Sequence, residues 1–544
     1  MRTSGSDGLR TLVIGIDAGC FNVLDPMLDA GSVPTIAGLI DDGIAADLES
    51  QIPPWTPSAW PSVYTGANPG KHGVFGFLSF DGYDWTVVDS THVREHAIWD
   101  LLDLHGFTSV VVNAPITHPP PAIDGAVVPG YVAPEHPTCH PAGLLDDLRE
   151  AIGDYRVYTP SMTETVAPDR KVRELAALAE SRGAATCYLY DRFDPDFGFV
   201  QFQATDTVLH EFPGDREKAA RVYEAVDGAI DEILDACRPE TVVLVSDHGM
   251  DAYDTRVALN EHLRRHGYVE ATRSGDGMPT WAAIRDTKLA AGEAGERAAP
   301  SLPGRLMQGL ARAGITSQRV GAVLDRLGLA EATMRVVPDD LIRAGSEQVD
   351  FPNSTAYMRS RIECGIRLNL AGREPEGVVP ADEYDRTREA LIDLLSELET
   401  PDGEPVFDAV VPREAVFEGP YVDEAVDLLT IPNEFEFYLT TWLTDDVFDR
   451  PERATWDHTM EGILVAAGDG IDPDATAGSP HLFDVAPTVL ATVGVPVSDR
   501  MDGAPLPFVD HPGTDTYPET GGAARGTTDD DVESRLSNLG YLER

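Results

Sequence analysis

Residues 241–249 read TVVLVSDHG, in which four consecutive apolar residues are followed almost directly by Asp247 and His248. A short continuous apolar run of this kind is typical of a strand that is buried on both faces. Two other segments have the same pattern: RTLVIGID (10–17) ends at Asp17, and FGFVQFQATD (197–206) ends at Asp206. The sequence therefore predicts three strands of one buried sheet, each ending at an aspartate.

Segments with helical periodicity lie between these strands. The longest, DREKAARVYEAVDGAIDEILDAC (215–237), follows the strand that ends at Asp206, and LDPMLDAGSVPTIAGLIDDG (24–43) has the pattern of a helix, a turn and a short helix. TSVVVNAP (108–115) adds a further strand. Strands that alternate with helices predict an α/β fold with a mostly parallel central sheet flanked by helices.

The alternation is interrupted between about 267 and 419. This part is Ala- and Arg-rich and has a helical pattern up to about Pro338, after which a strand, a loop and a helix follow. The core pattern resumes in EGILVAAGDGI (461–471). We therefore predict one core domain made of 1–266 and 420–544, with a helix at its C-terminal end, and an inserted α+β cap over 267–419.

The charge of the chain is strongly negative, with 92 acidic residues against 41 basic ones and a net charge of −51. The acidic residues occur throughout the chain and alternate with apolar ones at helical spacing, which a disordered acidic region would lack. A folded protein with an acidic surface is expected, of the kind found in the salt-rich cytoplasm of halophilic archaea. The same charge would repel nucleic-acid backbones, so no nucleic-acid partner is expected.

Several classes of protein are disfavoured by the sequence. No run of eighteen apolar residues is present, so no membrane span is expected, and the first residues show no signal-peptide pattern, which favours a cytoplasmic location. The five cysteines are widely spaced and odd in number. They argue against a disulfide framework and against a cysteine-type zinc site. The sequence carries no signal for an oligomeric state.

The aspartates at the strand ends indicate a binding site. In an open parallel sheet, ligands bind at the carboxyl ends of the strands, where Asp17, Asp206 and Asp247 are expected. One aspartate at such a position most often caps a helix. Three of them at one edge of a sheet, with histidines close by in the sequence, are better explained by a ligand that they share.

Histidines accompany these aspartates at informative spacings. Asp206 and His210 are four residues apart in TDTVLH (205–210), which would place them on one side of a helix. His248 follows Asp247 directly, and His458 in DHTMEGI lies just before another predicted strand. Carboxylate oxygens and imidazole nitrogens are ligands of zinc and manganese. The ordered set therefore predicts a metal site.

A family resemblance emerges when these motifs are taken in order along the chain. The motifs are VIGIDAG (13–19), TPSAWPSVYTGANPGKHGVFGF (56–77), TDTVLH, VSDHGM (245–250), DHTMEGI and DVAPTVLATVGVP (484–496). With them the chain resembles the alkaline phosphatase superfamily and, within it, the type I phosphodiesterase/nucleotide pyrophosphatase family. The resemblance runs nearly end to end and is strongest to a prokaryotic branch of phosphohydrolases and phosphomutases.

The resemblance implies a metal-dependent hydrolase that acts on small-molecule phosphate esters: phosphodiesters, nucleotide pyrophosphates or phosphomonoesters. It implies two divalent metal ions, zinc or alternatively manganese, the first held by Asp17, Asp247 and His248 and the second by Asp206, His210 and His458. Thr56 corresponds to the nucleophile between the ions, which would form a phospho-threonine intermediate. A threonine hydroxyl is a poor nucleophile at neutral pH, and a metal ion that binds its alkoxide would activate it.

Alternatives to this function and to several residue roles stay open at this point. A phosphomutase would use the same two-metal site, a metal-binding pseudoenzyme would use it without catalysis, and Thr56 could merely cap a helix. Pro61 lies inside the predicted helix after Thr56 and could kink it. His481 could replace His458 as a ligand.

Other positions raise the question of substrate preference. The asparagine that eukaryotic nucleotide pyrophosphatases use to bind a phosphoryl oxygen corresponds to Phe77, so a preference for diesters does not follow. Arg373 and Glu374, in the loop GREPEG (372–377), could contact substrate or support the fold. His72 is expected to be structural and to hold the loop that follows the helix.

Overall fold

The computed structural model describes residues 8–162, 166–272, 347–451, 455–473 and 475–520. The chain divides into two compact units: Met1–Gly76, Val88–Met250 and His458–Arg544 form the first, and Phe77–Val87 and Asp251–Asp457 form the second. The insertion expected over 267–419 falls within the longer segment of the second unit. Most of the helical part expected up to about Pro338, and the helix expected at the C-terminal end, lie outside the described residues.

The long helix predicted over 215–237 is present as α9, whereas α7, the longest of the described helices, was not predicted. In chain order they are α1 Phe21–Ala30, α2 Pro34–Asp42, α3 Thr56–Thr65, α4 Pro69–His72, α5 Ile98–Leu104, α6 Leu144–Ile152, α7 Pro168–Phe193, α8 Ala204–Glu211, α9 Arg216–Cys237, α10 Leu259–Arg265, α11 Tyr384–Ser396 and α12 Val485–Thr492. Within the described part of the chain no single helix is long and apolar enough to cross a membrane, although α1 and α2, joined at a 105° bend, reach that length and composition together.

The strands form several sheets, of which the largest belongs to the first unit. The first strands in chain order are β1 Thr11–Ile16, β2 Ile44–Glu49, β3 Leu78–Asp81, β4 Asp84–Val87, β5 Ser109–Val112, β6 Gly125–Val128, β7 Phe197–Phe202, β8 Thr241–Val245, β9 Gly249–Tyr253, β10 Thr255–Ala258 and β11 Ala271–Thr272. The others are β12 Gln348–Val349, β13 Ala356–Tyr357, β14 Gly365–Leu368, β15 Phe407–Pro412, β16 Leu428–Pro432, β17 Phe437–Thr440, β18 Phe448–Asp449, β19 Thr455–Thr459, β20 Glu461–Gly468, β21 Val497–Ser498 and β22 Thr514–Asp515.

The central sheet of the first unit has seven strands in the order β2-β20-β8-β1-β7-β5-β6. Only β20 runs antiparallel to its neighbours, β2 and β8, so the predicted mostly parallel α/β sheet is confirmed. Every residue of β1, β7 and β8 is buried. Their continuous apolar runs follow from this burial, because a strand covered on both faces has no polar side.

The register of the central strands decides which side chains meet at the carboxyl edge of the sheet. Gly15 of β1 lies beside Gln201 of β7 and beside Val245 of β8. Asp17 and Asp247, two residues further along their strands, therefore meet at this edge. The prediction that the third strand ends at Asp206 is wrong: β7 ends at Phe202, and Asp206 lies in the first turn of α8.

The second unit has a core of its own. Strands β13, β14, β16 and β15 form an antiparallel sheet in that order, and β17, β10 and β18 form a second sheet. Side chains from α10, α11 and the strands pack in one hydrophobic cluster that includes Leu263, Tyr357, Ile366, Leu395 and Leu428. The hairpin β3–β4 belongs to this unit, where the Tyr83 hydroxyl donates a hydrogen bond to Asn369 at 2.7 Å.

Candidate metal centre

Asp17, Asp247 and His248 form the first cluster of predicted ligands, with one candidate ligand atom from each within 4.8 Å of the others. All three side chains are completely buried. The sheet register brings the two aspartates together, and His248 follows Asp247 in the turn after β8. The Ser50 hydroxyl donates a hydrogen bond of 2.6 Å to the backbone carbonyl of Asp247, which fixes that turn.

Asp206, His210 and His458 form the second cluster within the same distance limit. Asp206 and His210 lie one turn apart on α8, and His458 comes from β19. The Nε2 atoms of the two histidines are 3.0 Å apart, and they lie 3.2 and 3.4 Å from Asp206 Oδ1. Three potential donor atoms therefore point to a common place, as the ligands of one cation would.

Each carboxylate of the two clusters has one oxygen that accepts a hydrogen bond and one that does not. Asp17 Oδ2 accepts from Trp60 Nε1 at 2.9 Å, Asp247 Oδ1 accepts from a backbone N–H at 3.3 Å, and Asp206 Oδ2 accepts from a side-chain amide at 3.3 Å. The second oxygen of each aspartate is buried without a hydrogen bond of ordinary geometry. Such oxygens are rare in folded proteins, and a bound cation would satisfy all three.

The histidines are oriented for ligation through Nε2. His248 Nδ1 donates to the backbone carbonyl of Gly249 at 2.9 Å, and His458 Nδ1 donates to the carbonyl of Pro54 at 3.0 Å. With its proton on Nδ1, a neutral imidazole carries its lone pair on Nε2, the atom that faces the carboxylates. Carboxylates and neutral imidazoles in this arrangement fit two divalent cations of the zinc or manganese type.

The two clusters shift the pKa values of their aspartates in opposite directions. Burial raises the pKa of Asp17, and the neighbouring Asp247 and Asp206 raise it further. Burial alone would raise the pKa of Asp206 too, but His210 and His458 outweigh it and hold this pKa well below the usual range. Burial, helped by the charge of His248, lowers the pKa of His458 to about 4. His458 is therefore neutral at pH 7, as a metal ligand must be.

Thr56 lies at the start of α3, next to the first cluster. Its side chain is buried, and its Oγ1 is 3.3 Å from His248 Nε2. The ring of His248 stacks on that of His458 with centroids 3.6 Å apart, so the two clusters adjoin. Trp55, rather than Thr56, occupies the N-cap position, and α3 continues through Pro61 to Thr65.

The sequence matches the family model for type I phosphodiesterase / nucleotide pyrophosphatase over residues 11–463. The chain belongs to this family. The match includes Thr56 and every residue of both clusters, and it confirms the resemblance drawn from the motifs. Membership of the type I phosphodiesterase/nucleotide pyrophosphatase family gives metal-dependent hydrolysis of phosphate esters as the class of activity, and the two clusters are the candidate metal sites.

The solved structures that are similar to this chain have low sequence identity to it. Phosphonoacetate hydrolase from Sinorhizobium meliloti 1021 in complex with phosphonoacetate has a TM-score of 0.53 and 16% identity, covering 89% of this chain and 95% of that chain. Its complex with phosphonoformate has a TM-score of 0.50 at the same identity and coverage. Human ectonucleotide pyrophosphatase / phosphodiesterase 5 has a TM-score of 0.46 and 12% identity, covering 96% and 99%. Among curated proteins, none matches the sequence significantly.

The structure places His481 outside both clusters of this family member. His481 begins a short turn after β20, and its Nδ1 accepts a hydrogen bond from the backbone N–H of Phe483 at 3.2 Å. His458, not His481, lies beside Asp206. Phe77, which the resemblance aligned with an asparagine of eukaryotic nucleotide pyrophosphatases, is buried directly before β3.

Arg373 takes part in an ionic network inside the second unit. Its guanidinium binds both carboxylate oxygens of the buried Asp427, at 2.6 and 2.7 Å, and also donates to Glu374 and to the carbonyl of Leu368. Glu374 in turn accepts from Arg367 at 2.8 Å. These contacts favour support of the fold over contact with substrate for both Arg373 and Glu374.

Sequence reasoning did not identify Trp60, Gln201 and Gln203, which donate hydrogen bonds to the carboxylates of the clusters. Gly15 makes room for Trp60, because a Cβ at this position would lie 2.5 Å from the indole ring. The only signal in the sequence is the pair of glutamines in the otherwise apolar strand segment FVQFQ, since polar side chains in a buried strand need partners.

His72 is buried and structural, as expected, and it makes the stability of the protein depend on pH. Its Nδ1 accepts from the Val74 N–H at 3.2 Å, its Nε2 lies 3.0 Å from Ser62 Oγ, and burial lowers its pKa from 6.5 to about 3. Between about pH 3 and pH 6.5 the unfolded chain therefore carries a proton on this histidine and the folded chain does not. The histidine does not reduce the free energy of unfolding above about pH 6.5, and it reduces that free energy progressively as the pH falls below this value.

We expect His72→Gln to flatten this acid dependence. Between pH 7 and pH 5 the wild type should lose about 2 kcal/mol more unfolding free energy than the variant, because only the wild type carries this histidine. Denaturant melts at both pH values, with chelator and salt held constant, measure the difference. Equal losses in the two proteins would show that His72 does not carry the effect.

Proposed function

We propose that the protein hydrolyses small-molecule phosphate esters with two divalent cations, for which its carboxylate and imidazole donors favour zinc, and with Thr56 as the nucleophile. The observation that carries the proposal is the position of Thr56 Oγ1, buried at the start of α3 and 3.3 Å from His248 Nε2. Because His248 stacks on His458 of the second cluster, the hydroxyl lies beside the place where both sets of ligands meet.

The residues that would hold the cations are Asp17, Asp247 and His248 for the first and Asp206, His210 and His458 for the second. When bound, such cations neutralise charge on phosphoryl oxygens and make hydroxyl groups and water better nucleophiles. The orphaned carboxylate oxygens and the Nδ1 hydrogen bonds of His248 and His458 support this assignment.

The chain's own groups position the reacting atoms. Thr56 is the first residue of α3, and the partial positive charge at the N-terminus of a helix favours a negatively charged phosphoryl group beside it. Thr56 Oγ1 attacks phosphorus, the bond from phosphorus to the ester oxygen breaks, and the alcohol leaves with the proton. Water then hydrolyses the phospho-threonine and restores the hydroxyl, so the configuration at phosphorus is retained overall.

A substrate panel in the presence of Zn²⁺ or Mn²⁺ tests this function. The panel contains phosphomonoesters, phosphodiesters, nucleotide pyrophosphates and, because a protein of the same fold is a phosphonoacetate hydrolase, phosphonates. We expect hydrolysis of at least one ester class that chelator abolishes and that Asp206→Asn reduces strongly. A phosphoryl group returned to substrate instead of water would indicate a phosphomutase, and no turnover of any class would contradict the proposal.

We also propose that the protein is adapted to concentrated salt, because a net charge of −51 opposes folding wherever it is unscreened. The Debye length falls from ~10 Å at 0.1 M to ~3 Å at 1 M salt. We expect the melting temperature to rise over this range of KCl, by about 2 °C for every 2 kcal/mol that screening contributes, because the entropy of unfolding grows with chain length. Melts at constant metal concentration measure it, since metal binding itself stabilises. A flat or falling series would reject the adaptation.

A further inference from the structure

A line of side-chain amides, of which Asn113 and Gln201 are buried and Gln203 is half-buried, connects the two clusters. Asn113 Nδ2 donates to Gln201 Oε1 at 2.8 Å, and Gln201 Nε2 donates to Asp17 Oδ2 at 2.6 Å. Gln201 Nε2 also donates to Gln203 Oε1 at 3.2 Å, and Gln203 Nε2 donates to Asp206 Oδ2 at 3.3 Å. One amide, that of Gln201, therefore reaches a carboxylate of each cluster, directly in one case and through Gln203 in the other.

The sheet register explains why these side chains meet. Gln201 lies beside Gly15 in the parallel pair of β7 and β1, and β5 pairs with β7 so that Asn113, the residue after β5, comes next to Gln201 on the other side. Asp17 follows Gly15 by two residues, directly after β1, and Gln203 follows Gln201 by two residues, directly after β7. Asn113 and Gln201 are almost completely excluded from solvent, at 1% and 0% exposure.

The direction of the hydrogen bonds is fixed along the line. An ionised carboxylate only accepts, so Gln201 must present its NH₂ group to Asp17 and its carbonyl oxygen to Asn113. The second N–H of Gln201 then meets the carbonyl oxygen of Gln203, whose NH₂ group is left for Asp206. Turning any one amide over would place two acceptors or two donors against each other, so the line has a single orientation.

We propose that Gln201 is a positioning residue that couples the two metal sites. Gln201 donates a hydrogen bond to Oδ2 of Asp17, and Gln203, which Gln201 holds in place, donates one to Oδ2 of Asp206. In each aspartate Oδ1 is therefore the oxygen available to a cation. This inference rests on the two-cation site of the proposed function. Partners of this kind orient ligands, and their loss typically lowers metal affinity about 10–100-fold.

The coupling predicts a pattern that a general loss of stability would not produce. Gln201→Met, which keeps the length of the side chain and removes its hydrogen bonds, should weaken both ions. Gln203→Met should weaken only the ion held by Asp206. In an Asp206→Asn background, which retains only the first site, Gln201→Met should still lower affinity and Gln203→Met should not.

Competition between the Zn²⁺-loaded protein and a chromogenic chelator measures these affinities without substrate. We expect Gln201→Met to lower the affinity for both ions about 10–100-fold, and Gln203→Met to lower the affinity for one ion by a similar factor. Thr186→Val is the matched control: Thr186 is buried on α7 and donates to the carbonyl of Arg182 at 2.8 Å, so its loss removes a buried hydrogen bond away from both clusters.

Two outcomes would overturn the coupling: unchanged affinities in Gln201→Met, or equal loss at both sites in Gln203→Met. If Gln201→Met does not fold, Asn113→Gly tests the same line, because glycine accepts the positive φ of 63° at this position and removes the donor to Gln201. We then expect both ions to weaken, and unchanged affinities would overturn the proposal. Wild-type protein that binds zinc but hydrolyses no ester would contradict the proposed function and leave the coupling intact.

Discussion

Thr56→Ala is expected to lower phosphate-ester hydrolysis by at least about 10³-fold while the fold and both metal clusters remain, because a nucleophile and the groups around it act as a unit. Thr56 is buried at the start of α3, and Trp55 holds the N-cap position. Removing the hydroxyl should therefore cost little stability, and the loss should appear in kcat rather than in metal content.

Two variants and a trapping experiment make this result decisive. Thr56→Ser keeps a hydroxyl and should retain part of the activity, whereas Thr65→Ala removes another buried threonine of the same helix, one that donates to the carbonyl of Pro61, and should retain nearly all of it. Intact-mass analysis after rapid acid quenching should find one phosphoryl group on wild-type protein and none on Thr56→Ala. Full activity in the alanine variant would mean direct attack by water.

His458→Ala is expected to remove one of the two bound ions and to lower activity by at least about 100-fold, since one cation contributes several kcal/mol of charge stabilisation. The reason is geometric: His458 Nε2 lies 3.4 Å from Asp206 Oδ1 and 3.0 Å from His210 Nε2. Without His458, only Asp206 and His210 of this cluster would remain, which is an incomplete site.

His481→Ala is the matched control for this prediction, because His481 is the other histidine that the sequence offered as a ligand. It bonds to the N–H of Phe483 and lies outside both clusters, so its loss should leave metal content and activity near wild type. Metal analysis of purified, dialysed variants gives the ion content per chain, and steady-state kinetics give the activity. If His481→Ala lost the ion and His458→Ala kept it, the ligand assignment would be reversed.

Much of the fold could be predicted because the central strands are continuous apolar runs. The segments ending near Asp17 and Asp247 are buried along their whole length, and nothing in a doubly covered strand interrupts the pattern. Asp206 was misplaced because FQATD contains no residue that marks a boundary. The strand ends where Gln203 adopts helical backbone angles, φ −74° and ψ −19°, which composition does not reveal.

The candidate site was predicted through motif resemblance more than through spacing. No periodicity relates His458 to His210, which come together only through packing of β19 and α8. Gln201 and Trp60 were missed because their hydrogen bonds to Asp17 depend on strand register and on the open space at Gly15. The hairpin β3–β4 was not assigned to the second unit because its partners there are distant in sequence.

The order of the ligands along the chain has a consequence for biosynthesis. The first cluster is complete once His248 has been made, whereas the second waits for His458, which follows the entire second segment of the second unit. Domains generally fold as units, and the first unit resumes only at His458, so a growing chain holds every ligand of the first cluster well before that unit can fold. Full loading therefore belongs to the last stage of synthesis, and a truncated product that ends before His458 would carry at most one ion.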